Sequence, residues 1–268
     1  MITVLTSGLP LFIVCNAVAL LVYMTAIFGV AYYRKRLDTV DAAWGGAFVV
    51  AATMVAGIQP TLRTIVIAIL IDIWALRLSN HIIERIRSHD QDDPRYTELA
   101  SKWKGDYWQR AYVSIFLLQG LMALLISLPT VFATGDDNAW ATPLLIIGGL
   151  VWLAGFVTEA LGDRQLRAFL ADKTNKGKVL DQGLWRYTRH PNYLGELTQW
   201  YGIGIIACGA QWGWIGLVGP ILLNILIRFI SGVPPIENRK KKDKAYAAYM
   251  TRTNPILPRL KRLKTDVV

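Results

Sequence analysis

Charged side chains are scarce in this sequence. Only 18% of its 268 residues are Asp, Glu, Lys or Arg, while 53% are hydrophobic, and a soluble domain usually carries about 25% charge. Cysteine is limited to Cys15 and Cys208, both in apolar segments, so we expect packing residues and no disulfide framework. The composition therefore disfavours a soluble or disulfide-stabilised domain and favours an integral membrane protein.

Several motifs of soluble enzymes are also missing. The sequence has no P-loop, no C-x-x-C and no H-E-x-x-H, and no G-x-G-x-x-G follows a predicted strand. The glycine run "GIGIIACG" at 202–209 lies inside an apolar segment, where close helix packing is its expected use. A metal site built from His190, Asp163 and Glu196 is an alternative, but the three histidines of the chain are scattered, so we predict none.

Long apolar segments are what the sequence has in abundance. Windows of about 20 apolar residues indicate membrane spans, because 20 residues of helix cross about 30 Å of hydrocarbon. We therefore predict an all-α integral membrane protein with seven transmembrane helices. Their approximate bounds are Pro10–Tyr33, Asp41–Gly57, Leu62–Leu78, Ala111–Ala133, Thr142–Leu161, Tyr193–Ala210 and Trp212–Ser231.

The basic residues predict the orientation of these spans. The net charge is +10, and nearly all Lys and Arg lie at 34–36, 77–110, 163–193 and after Gly232, whereas the loop at 134–140 is acidic. Lys and Arg accumulate in cytoplasmic loops. We therefore expect an outside N-terminus and a cytoplasmic C-terminus in a bacterial inner membrane, and no nucleic-acid partner is needed to explain the charge.

The chain is expected to form a single transmembrane domain over residues 1–268. Residues 1–134 would form the substrate-side helices and residues 141–268 a C-terminal cofactor-binding core, with cytoplasmic helical loops capping the bundle. Pro94 after Asp93 predicts a helix start, and the tail segment "DKAYAAYMTRTNPILP" predicts an amphipathic helix that stops before Pro255.

Polar residues follow one face of the fifth predicted span. Glu159, Asp163 and Arg167 are spaced at i, i+4 and i+8, which places them on one side of a helix. A carboxylate near the membrane boundary usually faces a polar cavity. This row suggests acceptors for sugar hydroxyls or an amide, with Arg167 for a phosphate, and the alternative is a stabilising ladder at a helix end.

The densest polar motif is "GLWRYTRHPNYLGE" at 183–196. Asn192 offers both a donor and an acceptor, as amide recognition requires. Tyr193, Glu196 and Trp200 follow at helical spacing. Four nearby cations suit phosphate oxygens: Lys178, Arg186, Arg189 and His190. The alternative is a basic loop with an aromatic belt that meets lipid headgroups.

Two further acids, Asp41 and Asp72, lie in predicted spans two and three. An ionisable residue in a membrane span indicates a functional site by default. The alternative, for Asp72 in particular, is a buried Asp–Arg pair that holds two helices together.

The motif "GLWRYTRHPNYLGELTQWYG" resembles the C-terminal signature of the steroid 5-alpha-reductase superfamily, in particular its bacterial branch. Similar elements occur in order from about residue 40 to the tail: "DAAWG", "WALRLSNHIIER", "DDPRY", "EALGDRQL" and "YAAYMTRTNPILP". The superfamily also includes sterol reductases and isoprenylcysteine carboxyl methyltransferases. The resemblance implies seven helices and NADPH bound between the membrane helices and the cytoplasmic loops.

The resemblance also implies roles for individual residues. It assigns Glu159 and Asp163 to the nucleotide, Arg167 and Lys178 to its phosphates, and Asn192, Glu196 and Trp200 to the nicotinamide. The full predicted cofactor set is Arg77, His81, Glu159, Asp163, Arg167, Lys178, Arg186, Tyr187, Arg189, His190, Asn192, Glu196, Trp200 and Glu237. The predicted catalytic candidates are Asp41, Asp72 and Tyr193.

The sequence departs from the superfamily on the substrate side. Where the steroid enzymes carry a Gln-Glu pair and a Tyr, this chain offers Asp41, Trp44 and Trp74, so a steroid substrate is not implied. We predict an NADPH-dependent reductase acting on a conjugated double bond of a steroid-like or isoprenoid lipid, with Asp41 or Asp72 as a protonated donor to the carbonyl. The alternatives are a methyltransferase that uses S-adenosylmethionine and a non-enzymatic lipid-binding protein. Under all three hypotheses we expect the protein to bind membrane lipids and a lipid-like small molecule. The sequence does not specify the oligomeric state.

Overall fold

The computed structural model of the protein describes residues 8–87 and 91–259. Within these residues the chain is helical and forms no strand. The α-helices are α1 (Leu9–Arg34), α2 (Thr39–Ile58), α3 (Leu62–Arg87), α4 (Pro94–Ala100), α5 (Tyr107–Ala111), α6 (Leu118–Ile126), α7 (Leu128–Phe132), α8 (Ala141–Ala171), α9 (Pro191–Ala207), α10 (Val218–Ile225), α11 (Val233–Lys240) and α12 (Lys244–Arg252). Tyr112–Leu117 and Leu226–Ile230 are π-helical, and Lys173–Asn175, Gly183–Arg186 and Gly213–Leu217 are 3₁₀ turns.

Two helix starts follow the sequence signals. The Asp93 carboxylate accepts a hydrogen bond from the Arg95 backbone N–H at 2.9 Å at the start of α4. The Asp243 carboxylate does the same for Ala245 and Tyr246 at the start of α12. Such caps satisfy backbone donors that the first helical turn leaves without partners. The predicted start at Pro94 and the predicted tail helix are both confirmed.

Five helical segments in the described residues are long and apolar enough to cross a membrane. They are Leu9–Arg34, Thr39–Ile58, Tyr107–Phe132, Ala141–Ala171 and Gly213–Lys240. The other two predicted spans also form helices: α3 has 26 residues and α9 has 17. Helix α9 is about 26 Å long at 1.5 Å per residue, slightly less than the hydrocarbon thickness. The chain is thus an all-α membrane protein.

The chain divides into two compact units. Unit 1 comprises Met1–Leu145 and Gly204–Gly219, and unit 2 comprises Ile146–Ile203 and Pro220–Val268. In unit 1, α2 packs against α1 and α3, while α1 packs against α6 and the π-helical segment before it. Large side chains fill its core, among them Leu20, Phe48, Trp74 and Phe116.

In unit 2, glycines bring α8 and α9 into close contact. A Cβ atom at Gly195 would lie 2.6 Å from the Gly155 carbonyl oxygen, and one at Gly202 would lie 2.7 Å from the Gly148 oxygen. Small residues at such a contact let two membrane helices approach closely. One turn beyond Gly155, the same face of α8 presents Glu159 and Asp163, which are only 3% and 6% exposed.

Candidate functional site

A cavity of about 260 Å³ lies within unit 2. Its walls come from the end of α8, residues 178–193, α11 and α12. Most of the lining is apolar or aromatic, including Phe169, Trp185, Tyr246 and Tyr249. The polar lining residues are Lys178, Arg189, His190, Asn192, Tyr193, Lys240 and Asp243. Apolar walls with a few convergent polar groups are typical of small-molecule sites.

Arg189 holds one wall of this cavity in place. Its guanidinium donates to both Glu237 carboxylate oxygens, at 2.7 and 3.2 Å, and to the backbone carbonyls of Met250 and Thr253. Arg189 is 6% exposed. Four of its five N–H donors are therefore used within the protein. The structure gives Arg189 a structural contact to the C-terminal segment, where the sequence suggested a phosphate ligand.

His190 shares the same carboxylate. Its Nε2 lies 3.2 Å from Glu237 Oε1, and its ring stacks on the Tyr193 ring with centroids 5.3 Å apart. Both aromatic residues line the cavity. Glu237 thus fixes two neighbouring residues of the motif at once, and the ring of Tyr193 is oriented by its stacking on His190.

Helix α12, near the C-terminus, forms another wall of the cavity. The Tyr249 hydroxyl donates to the Trp185 carbonyl, and Trp185 Nε1 donates to the Gly162 carbonyl at 3.1 Å. Burial, followed by the nearby Glu237 charge, raises the pKa of Tyr246 to about 12. Burial likewise raises the pKa of Tyr249. Both phenols therefore stay protonated near neutral pH.

Asn192 stands out among the polar lining residues. It is the second residue of α9, and a Cβ atom at Gly162 of α8 would lie 3.2 Å from its backbone nitrogen. Its Oδ1 atom is buried and has no hydrogen-bond partner among the described residues. A buried acceptor without a donor is costly. Because Asn192 lines the cavity, a ligand N–H or O–H could satisfy this oxygen.

The row of polar residues on α8 is partly explained by the fold. Gln199 Nε2 of α9 donates to Glu159 Oε2, and the Gln199 side chain is fully buried. Trp200 is 1% exposed, and Glu196 is half-buried. As far as the described residues go, the cavity lining does not include Glu159, Asp163, Glu196 or Trp200.

Three predicted cofactor residues lie on the surface of unit 2. The side chains of Arg167, Arg186 and Tyr187 are exposed, and the Arg186 guanidinium lies 5.9 Å from the centre of the Tyr187 ring. Lys178 is also exposed, but it lines the cavity. The structure thus brings five of the predicted site residues together around the cavity: Lys178, Arg189, His190, Asn192 and Tyr193.

In unit 1, Asp41 has polar neighbours, unlike the apolar surroundings expected for a protonated donor. Its Oδ2 lies 2.6 Å from Arg95 NH2 and its Oδ1 accepts a 2.6 Å hydrogen bond from the Tyr96 hydroxyl. Burial and then the Asp41 charge raise the pKa of Tyr96 well above its usual value. Both carboxylate oxygens of Asp41 therefore act as acceptors.

Asp72, Arg77 and His81 lie along α3 in unit 1. All three are half-buried, and Arg77 and His81 are one helical turn apart. Asp72 Oδ1 is buried, with no hydrogen-bond partner in the described part of the chain. Trp74, the residue in place of the superfamily's Tyr, is buried and packs edge-on against Phe48.

Most residues of the cavity lining are not predicted by the sequence. Phe169, Trp185 and Ile236 are apolar residues with no chemical signal of their own. Tyr246 and Tyr249 had a usable signal, because their i, i+3 spacing on the predicted amphipathic tail helix places them on one face. Lys240 and Asp243 lie in the basic run before that helix and could have been predicted with it.

The fold and the site thus define a helical membrane protein that has a largely apolar cavity with a few polar groups, bordered by a C-terminal amphipathic helix. Residues 27–253 match the family model described as "Protein of unknown function (DUF1295)". Because this match covers most of the chain, the protein belongs to that family, and it is steroid 5-alpha-reductase-like.

Similarity to curated proteins is weaker. The chain is 26% identical over 246 residues to an uncharacterized protein of Schizosaccharomyces pombe, which covers 77% of this chain and 66% of that protein. It is 27% identical over 96 residues to the probable O-methyltransferase ustE of Ustilaginoidea virens (36% of this chain, 34% of that one). It is 32% identical over 80 residues to the mouse 3-oxo-5-alpha-steroid 4-dehydrogenase 1 (30% of each).

The matched part therefore spans about a third of the length of the O-methyltransferase and of the steroid dehydrogenase, and about two thirds of the yeast protein. No solved structure matches the chain.

Proposed function

We propose that this protein is an NADPH-dependent membrane reductase that transfers hydride to a conjugated double bond of a lipid. The observation that carries the proposal is the buried, unpartnered Oδ1 of Asn192 at a cavity with two lysines in its lining. The similarity to a 3-oxo-5-alpha-steroid 4-dehydrogenase supports the reaction class.

The residues of the cavity fit a phosphorylated nucleotide. Asn192 Oδ1 can accept from a carboxamide or amino N–H, and the aromatic walls can stack on a planar base. Lys178 and Lys240 can bind phosphate oxygens as point charges. When bound, NADPH would supply the hydride. The cavity is smaller than a typical site for a whole drug-sized ligand, about 300–1,000 Å³, so we propose that it takes one half of the dinucleotide.

The protein must also supply a proton and stabilise the developing charge on the substrate carbonyl. We propose Asp72 for this role over Asp41, because Asp41 already accepts from Arg95 and Tyr96 whereas Asp72 Oδ1 has no donor or acceptor among the described residues. Tyr193 is proposed to position the bound molecule, since it lines the cavity and is held by stacking on His190.

Methyl transfer from S-adenosylmethionine is the second candidate. The similarity to a probable O-methyltransferase favours it. S-adenosylmethionine carries a positive sulfonium and no phosphate. Among the described lining residues the cations Lys178 and Lys240 outnumber the one acid, Asp243. This lining suits a sulfonium less well than a phosphorylated ligand.

The proposal is tested by identifying the ligand. The protein is purified in mild detergent and denatured, and the released molecules are identified by mass spectrometry. In parallel, thermal unfolding is measured with NADPH, NADH or S-adenosylmethionine. A ligand at a hundred times its dissociation constant stabilises the fold by about 2.7 kcal/mol. We expect release of NADP(H) and the largest stabilisation with NADPH. Stabilisation by S-adenosylmethionine alone would establish the second candidate, and no effect of any cofactor would leave a lipid-binding protein.

We further propose seven spans with the N-terminus outside, in a bacterial inner membrane. The basic segments at 163–193 and after Gly232 support a cytoplasmic location for these parts. Single cysteines introduced as Asp136→Cys and Asn175→Cys, in a background without Cys15 and Cys208, test this orientation. A membrane-impermeant maleimide should label residue 136 and not residue 175 in intact cells, and the reverse pattern would overturn the orientation.

A further inference from the structure

A groove of about 230 Å³ runs along unit 1 between two antiparallel segments. Its lining consists of residues of α1 between Ala17 and Met24 and residues between Leu117 and Leu124, all of them apolar. Gly120 leaves this space open, because a Cβ atom there would already lie 3.2 Å from Met24 Cγ. The groove therefore exists because the sequence has small residues, Ala17 and Gly120, in its two walls.

The groove opens to the surface of unit 1. Leu21 and Leu121, one from each wall, are each 49% exposed. Both belong to segments long and apolar enough to cross a membrane, so the opening faces lipid hydrocarbon. An unfilled apolar groove forfeits dispersion contacts along its lining, and a flexible hydrocarbon chain can restore them.

Aromatic rings continue the contact between the same two segments toward the end of α1. The Phe28 ring contacts the Tyr112 and Phe116 rings at centroid distances of 4.9 and 5.3 Å, and Tyr32 contacts Trp108 at 4.9 Å. The Tyr112 hydroxyl is also hydrogen-bonded to Thr25 at 2.8 Å. Amphipathic rings of this kind gather at the level of lipid headgroups. This end of α1 thus corresponds to the edge of the hydrocarbon layer.

Exposed cations follow those rings closely in the sequence. Arg34 and Lys35 follow Tyr32 at the end of α1, and Arg110 follows Trp108 by two residues. All three side chains are exposed. Basic residues near the membrane surface attract anionic headgroups by about 1 kcal/mol each. The groove and the cations therefore match the two parts of an anionic phospholipid.

We propose that unit 1 binds an anionic membrane phospholipid, with one acyl chain in the groove between α1 and α6 and its headgroup at Arg34, Lys35 and Arg110. In this proposal the apolar groove receives the acyl chain, and the cations select the headgroup. The site is independent of the proposed reductase activity and of the cavity in unit 2.

The test is native mass spectrometry of the protein released from nanodiscs that contain equal parts of phosphatidylglycerol and phosphatidylcholine. We expect one retained phospholipid, with phosphatidylglycerol enriched about tenfold. Ala17→Phe fills the groove and should abolish retention. The matched control Ala26→Phe, an exposed change on the same helix, should retain lipid like the wild type.

The headgroup is tested separately by the double variant Arg34→Gln/Arg110→Gln, with exposed Lys102→Gln as its control. Both changes are on the surface, so this arm remains decisive if Ala17→Phe does not fold. We expect loss of the preference for phosphatidylglycerol with the chain still retained. Equal retention of both lipids by the wild type, an unaltered preference in the double variant, or an isoprenoid or a second protein copy in the groove would overturn the proposal.

Discussion

In the part of the chain that the structure describes, each unit has one buried arginine that joins distant segments, and the two arginines differ in their surroundings. In unit 1, Arg63 donates to the carbonyls of Ala133 and Gly135 and to Asp137, and the Asp137 side chain is 73% exposed. In unit 2, Arg189 donates to two carbonyls and to Glu237, whose side chain is 13% exposed. Of these two arginines, Arg189 lines the cavity described above.

The two asparagines Asn138 and Asn192 repeat this contrast. Asn138 of unit 1 donates to the carbonyls of Cys208 and Ala210 and accepts from the Trp140 backbone N–H. Asn192 of unit 2 leaves Oδ1 without a partner in the described structure. Asn138 is thus used within the fold, whereas Asn192 leaves an acceptor available at a cavity. Buried atoms without a partner among the described residues also occur in unit 1, at Asn16 and at Asp72 Oδ1, so what sets Asn192 apart is the cavity that it lines.

Replacing the arginines should give the largest effect. Arg189→Gln leaves a mostly buried Glu237 without its arginine partner and with His190 as its neighbour, and breaking a buried pair costs about 3–5 kcal/mol. Arg63→Gln should cost less, about 1–3 kcal/mol, because the exposed Asp137 remains solvated. Thermal unfolding of both variants checks the order. Equal losses, or a larger loss for Arg63→Gln, would contradict the comparison.

Replacing the two asparagines should affect stability differently, with the larger loss at Asn138, which does not line the unit 2 cavity. Asn138→Ala removes three hydrogen bonds and should destabilise the protein by about 1–3 kcal/mol. Asn192→Ala removes an unsatisfied buried oxygen and should change the free energy of unfolding by less than about 1 kcal/mol. Chemical denaturation in detergent measures both. If Asn192→Ala is the more damaging change, the side chain has a structural role.

Parts of this contrast could be predicted from sequence. Local signals sufficed for the Asp93 and Asp243 caps and for the all-helical class, because capping and apolar runs depend on neighbours in the chain. The motif at 183–196 predicted a polar site, and its residues Asn192 and Tyr193 do line the cavity, as does Lys178 a few residues before it. The partners of Arg189 could not be predicted, because Glu237 and Thr253 are 48 and 64 residues away.

The partners of the acidic residues Asp41 and Glu159 also depend on long-range packing. The sequence placed Asp41 in an apolar span, but Arg95 and Tyr96 from α4 reach it. Glu159 is buried against α9 because Gly155 and Gly195 allow close approach, and no local pattern revealed that its acceptor would be used by Gln199.

The lysines in the cavity lining should affect ligand selectivity and not stability. We expect Lys178→Gln/Lys240→Gln to weaken NADPH binding by about 10-fold and NADH binding by less, because the extra phosphate of NADPH adds negative charge. Isothermal titration calorimetry at low and high salt measures this difference. Lys102→Gln in unit 1, an exposed residue paired with Glu98, serves as the control and should leave both affinities unchanged.

The smallest expected effect is a pH dependence at the Tyr246 phenol. Its pKa is raised from 10 to about 12, mainly by burial, so the fold favours the neutral form. The associated stability is fully present below pH 10 and is lost as the pH rises toward 12. Tyr246→Phe should remove a loss of under about 1 kcal/mol between pH 8 and 10.5. Unfolding curves at the two pH values, with the exposed Tyr33→Phe as control, measure it. Identical pH dependence in wild type and Tyr246→Phe would contradict this assignment.

The most direct test of the central claim is equilibrium dialysis of NADPH against the wild type, Asn192→Ala and Asn138→Ala in detergent. If the unpartnered Asn192 oxygen in unit 2 receives the nucleotide, the wild type and Asn138→Ala bind NADPH with the same affinity and Asn192→Ala binds about tenfold more weakly or not at all. Equal binding by all three proteins, or no binding by a folded wild type, would contradict the account.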